Sequence, residues 1–71
     1  MPVIQVSLKT GRSRNEKREL VERFTKALVE VCGSDAERVH VVINEVSEDN
    51  WGRGGRLLSD SPPASSHAEV E

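Results

Sequence analysis

Cysteine occurs once, at Cys32, so no disulfide can close within the chain. Aromatic side chains are nearly missing, with one Trp, one Phe and no Tyr. No apolar run approaches the roughly 20 residues of a membrane span, and no segment has the order of a secretory signal. No membrane partner is therefore expected, and one cysteine without a targeting segment points to a reducing cytoplasm. The two histidines, His40 and His67, lack Cys or carboxylate partners at ligand spacing, so no metal is expected. P-loop, Ser-His-Asp and paired-acid patterns are all missing.

The net charge of −2 conceals an uneven distribution. Asp60, Glu69 and Glu71 follow Leu58, and no Lys or Arg does. Residues 1–58 thus carry ten positive and nine negative charges, a net of +1. Nothing resembles a basic stripe, so nucleic acid is not an expected partner. GRGGR is a single copy without flanking repeats, and its glycines are explained by a tight turn.

With 71 residues the chain is one domain at most. A domain this small buries only about 60% of its unfolded surface. The usual supports are disulfides, a metal or oligomerisation. The first two are not expected here, which leaves association with further copies.

What is present is ordered. In VIQVSLK, residues 3–9, Ile4, Val6 and Leu8 alternate with Val3, Gln5 and Ser7, the period of a half-buried strand. After Gly11, Ser13 and Glu16 form the pattern of a capping box. Leu20, Phe24, Ala27, Leu28 and Val31 then recur at helical spacing through to Cys32, which is read as buried. Glu19/Arg23 and Glu22/Lys26 lie at i,i+4 in the favourable order, and Gly33 supplies the stop. Such a helix is about 27 Å long, enough to span a small sheet. VHVVINEV, residues 39–46, reads as a second strand, and the strand–helix–strand order predicts parallel pairing. SEDNWGRGGRLL follows as a short β-hairpin or curled loop, expected to extend the sheet. SDSPPASSHAEVE, residues 59–71, with four serines and two prolines, reads as a disordered tail. The expected class is α/β, a βαβ domain over residues 1–58 with a C-terminal hairpin.

Met-Pro, a strand, GRS opening a long helix, a Val-rich strand, then an aromatic before G-x-G-G: this order resembles the 4-oxalocrotonate tautomerase family from Pro2 to about Leu58. The resemblance implies a βαβ protomer that pairs into a four-stranded sheet. Dimers then assemble, usually into a hexamer, with active sites at subunit boundaries. It implies a cofactor-independent isomerase whose base is the amino-terminal proline, here Pro2. The family's arginine after the first strand falls on Arg12, and its hydrophobic wall on Trp51. Its second arginine, near the start of the second strand, is replaced by His40. Lys9 stands where a leucine is usual, and Arg53 where an aliphatic residue is usual.

The chemistry suits these residue types. Enol–keto interconversion needs one group that removes a proton and returns it at another carbon, with a pKa near the working pH. A free proline amine can do so if Met1 is removed; with Met1 retained, Pro2 is a tertiary amide. Nearby cations and desolvation by Trp51 would push the amine's pKa downward. Arg12 either holds a substrate carboxylate bidentately or is a surface arginine. Trp51 fills a packing gap, walls the site, or does both. His40 either polarises a keto oxygen or lies on a polar or interfacial strand face. Arg38, two residues earlier, is read on the same strand face and so able to stand in for the missing arginine. Lys9 and Arg53 are ligand contacts or solvated charges.

The implied substrate is a small carboxylate, a 2-hydroxy-dienoate such as 2-hydroxymuconate. Two alternatives stand beside it. One is a hydrating dehalogenase of 3-haloacrylates, which would need Glu48 or Asp49 to activate water. The other is a non-catalytic oligomeric interaction module with an inert Pro2.

Overall fold

The structure, a computed structural model, describes residues 1–60. The element order is β1 (Val3–Lys9), α1 (Arg14–Cys32), β2 (His40–Val46), β3 (Gly52–Arg53) and β4 (Arg56–Leu57). Short 3-10 turns occupy Ala36–Arg38, Glu48–Asn50 and Leu58–Asp60. The tail expected over residues 59–71 lies, from residue 61 on, outside the described residues.

β1 and β2 pair in parallel, from Val3 opposite His40 to Lys9 opposite Val46. This is the βαβ unit expected from the strand–helix–strand order. Alternation sorts the side chains into two sets. Ile4, Val6, Leu8, Val41 and Ile43 are half-buried on the side covered by α1. Val3, Gln5, Ser7, His40, Val42 and Asn44 are exposed on the other side.

The helix begins as its sequence dictates. The Glu16 N–H donates to Ser13 Oγ (3.1 Å), and the Ser13 N–H donates to Glu16 Oε1 (2.9 Å). This reciprocal capping box satisfies two donors that the first turn would otherwise leave open. Gly33 ends α1 in the left-handed region (φ 72°), and its N–H donates to the Val29 carbonyl at 3.1 Å. Leu20, Phe24, Leu28 and Val29 are half-buried, as helical spacing requires.

Several expectations are corrected. The hairpin β3–β4 pairs only with itself, as a separate antiparallel sheet, rather than extending β1–β2. Each of its strands is two residues long, and the Trp51 carbonyl at its base accepts the Leu58 N–H (2.9 Å). Gly54 (φ 64°) and Gly55 (φ 84°) form its two-residue turn, where positive φ at both central positions suits the strand twist. β2 starts at His40, because residues 36–38 are wound into a turn capped by the Asp35 side chain. Cys32 is exposed rather than buried, and so is Val31 (83%), because one helix on a two-stranded sheet leaves the last turn of α1 without cover in a single chain. Arg23 pairs with Glu19 as expected, whereas Lys26 lies 3.9 Å from Glu30 instead of pairing with Glu22.

None of the described side chains is fully buried in a single chain. Val3 and Val42, on the open side of the sheet, remain 53% and 42% exposed. One helix on two strands covers one sheet face and leaves the other bare.

Candidate active site

Parallel pairing decides where the candidate residues go. Both strands start at one end of the sheet and finish at the other. Pro2 immediately precedes β1, and its carbonyl accepts the His40 N–H at 3.0 Å. Pro2 and His40 are therefore neighbours across the strands at the starting end. Proline brings no N–H of its own to this ladder, so its nitrogen is not committed to a backbone bond there. Pro2 is half-buried, and the His40 side chain is exposed.

Arg38 joins them only in part. It ends the 3-10 turn rather than extending β2, so the strand-face argument does not apply to it. Its Nε lies 3.8 Å from Asp35 Oδ2, a distant and exposed pair. Such a guanidinium is little restrained.

Lys9, Arg12 and Trp51 sit at the finishing end. Seven residues of strand separate Pro2 from Thr10, so eight steps of about 3.3 Å put them roughly 26 Å apart. A single protomer thus does not bring Arg12 or Trp51 to Pro2. Arg12 precedes the Ser13 cap and borders a shallow groove of about 400 Å³ shared with Leu8, Glu16 and Leu20. The lysines on either side of it are occupied. Lys9 Nζ lies 3.2 Å from Glu48 Oε2, and Lys17 Nζ lies 2.9 Å from Glu45 Oε2. Arg12 has no carboxylate partner among the described residues. Its charge is available to an external anion.

Trp51 follows the 3-10 turn Glu48–Asn50 and is half-buried at the root of the hairpin. Arg53 lies in β3. The roles of Glu45 and Glu48 were missed in the sequence. Glu45 had a signal, since it continues the helix-facing alternation of Val41 and Ile43. An acid at an apolar position calls for a cation, and Lys17 supplies it.

The fold and the proline-headed strand define a small βαβ unit in which none of the described residues is buried. A family model described as tautomerase enzyme matches residues 2–61. The chain belongs to the tautomerase family and is an isomerase. The 2-hydroxymuconate tautomerase of Comamonas testosteroni is 40% identical over 55 residues, covering 78% of this chain and 87% of that protein. The 2-hydroxymuconate tautomerase of Bacillus subtilis is 38% identical over 60 residues, covering 84% and 97% respectively. A crystal structure of a 4-oxalocrotonate tautomerase homologue superposes with a TM-score of 0.82 at 42% identity, covering 87% of this chain and 98% of that one. A second homologue, from the tomaymycin biosynthetic pathway, superposes with a TM-score of 0.80 at 37% identity, covering 83% and 91%. No described helix is long and apolar enough to cross a membrane.

Proposed function

We propose that the protein interconverts the enol and keto forms of a small 2-hydroxy-dienoate such as 2-hydroxymuconate, with the Pro2 amine as base once Met1 is removed. The observation that carries this reading is the position of Pro2. It stands at the head of a rigid strand beside His40, with a nitrogen outside the backbone ladder. The names of the Comamonas and Bacillus relatives support the substrate class.

In the mechanism, the neutral amine of Pro2 takes the proton of the 2-hydroxyl group, and the resulting ammonium delivers a proton to a carbon of the dienolate. No cofactor is needed, because the carboxylate and the conjugated chain already delocalise the charge. His40 donates a hydrogen bond to the developing keto oxygen, and Arg38 reaches the same end. Arg12 and Trp51 come from a neighbouring copy. Arg12 grips the carboxylate, and the Trp51 indole excludes water and so favours the uncharged amine. A homo-oligomer, a hexamer in this reading, unites the two ends of different sheets and covers Val3 and Val42. The domain comprises residues 1–58, with the tail outside the catalytic unit.

The dehalogenase alternative keeps only one of its two candidate acids, because Glu48 is engaged by Lys9 and Asp49 alone would have to activate water.

Intact-mass measurement should show a chain lacking Met1. Pro2→Ala, or any extension that acylates the Pro2 nitrogen, should lower turnover of 2-hydroxymuconate by about 10²–10⁴-fold, the span of a lost general base. Wild-type turnover from a chain with a blocked Pro2 would sink the mechanism.

A further inference from the structure

The last backbone rung at the finishing end is the Thr10 N–H donating to the Val46 carbonyl, at 3.0 Å. Past that rung the two chain segments diverge. One runs through Thr10 and Gly11 to Arg12 and the cap of α1. The other winds through the turn Glu48–Asn50 to Trp51. That turn holds itself with one backbone bond, Asn50 N–H to the Ser47 carbonyl (2.9 Å), and the Ser47 side chain does not cap it. Lys9 reaches across from the end of β1 to Glu48, the first residue of this turn. The contact joins residues 39 positions apart in the chain.

We propose that Lys9 and Glu48 form a positioning pair that fixes the Trp51-bearing turn relative to Arg12, so that Lys9 acts through Trp51 rather than on the substrate. The inference rests on the reading of Trp51 as a wall of the active site. Its physical basis is the short turn between Glu48 and Trp51. Anchoring the first residue of a three-residue 3-10 turn sets the direction in which the fourth leaves it. A substrate carboxylate competing for the Lys9 ammonium would have to displace Glu48, whereas Arg12 is available without displacement.

Trp51 is the one tryptophan of the chain, so its emission reports on this turn directly. The test uses the full-length protein in its native assembly, with Lys9→Met, Glu48→Gln and the exchanged pair Lys9→Glu/Glu48→Lys. Each single substitution should shift the Trp51 emission maximum and lower its anisotropy. Each should also reduce kcat/KM for 2-hydroxymuconate about two- to fivefold, the range that the coupling of an exposed pair supports. The exchanged pair should restore both readouts, because the contact is remade with its charges reversed.

A ligand role for Lys9 predicts the opposite pattern. Glu48→Gln would then match wild type or lower KM, Lys9→Met would raise KM alone, and the exchanged pair would be the poorest of all. That pattern, or an emission unchanged in both single variants, would overturn the proposal. Emission that shifts and is rescued while kcat/KM stays constant would support the hold on Trp51. That result would overturn instead the placement of Trp51 in the active site.

Discussion

The two ends of the β1–β2 sheet are built from the same pair of strands and yet differ in almost every respect. At the starting end, Pro2 and His40 are joined by backbone, Arg38 is barely restrained, and no side-chain link among the described residues crosses between the strands. At the finishing end, two lysine–glutamate pairs flank Arg12, one tying β1 to the turn before Trp51 and the other tying α1 to β2. In the proposed mechanism the first end holds the group that gains and loses a proton. The second holds, in the same mechanism, the groups that stay in place while an anion binds. In the proposed mechanism one protomer is insufficient, since Pro2 and the residue that follows β1 lie about 26 Å apart along a strand that cannot fold back.

The sharpest way to break this division is to damage the two ends in different chains. As pure proteins, Pro2→Ala should be nearly inactive and Arg12→Ala should turn over little substrate at concentrations near the wild-type KM. Co-expressed in one cell and purified together, they should regain activity well above either parent, because some sites draw Pro2 from one chain and Arg12 from the other. No recovery in mixed oligomers, verified by native mass spectrometry, would mean that each site is built within one chain.

Arg12→Ala alone tests the gripping end. A hydrogen bond to a charged group contributes about 1.5–3 kcal/mol, so KM for 2-hydroxymuconate should rise about ten- to a hundredfold. Steady-state kinetics with an uncharged ester of the same substrate provides the control, and there the penalty should largely disappear.

A smaller effect is expected at the starting end. His40→Arg adds a permanent two-pronged cation beside Pro2 and should raise kcat/KM by up to about tenfold. The gain should be larger when Arg38→Ala removes the neighbouring guanidinium. Unchanged kinetics in both backgrounds would make His40 a strand residue without a part in catalysis.

The smallest effect concerns stability. Ser13→Ala removes one half of the capping box beside Arg12 and should cost about 1 kcal/mol in chemical denaturation. Pro2-dependent turnover at saturating substrate should survive it.

Much of this arrangement was legible in the amino-acid order. The alternation of residues 3–9 and the box formed by Ser13 and Glu16 are local patterns, so strand and helix follow from them. The places of Pro2 before the first strand and of Arg12 after it were also legible, because the strand's bounds were. The ion pairs were not, because they join residues 28 and 39 positions apart and exist only once the parallel register is set. The separation of the hairpin from the main sheet was hidden for a related reason. Its two-residue strands carry no periodicity from which a pairing partner can be inferred.

The register itself acts as a ruler. Because Val3 faces His40 and every later pair follows in step, a residue gained or lost inside β1 would move Pro2 by about 3.3 Å. It would also turn Ile4, Val6 and Leu8 away from α1. Length changes over evolution should therefore be excluded from residues 3–9 and tolerated at the Gly54–Gly55 tip, where nothing upstream has to stay in phase.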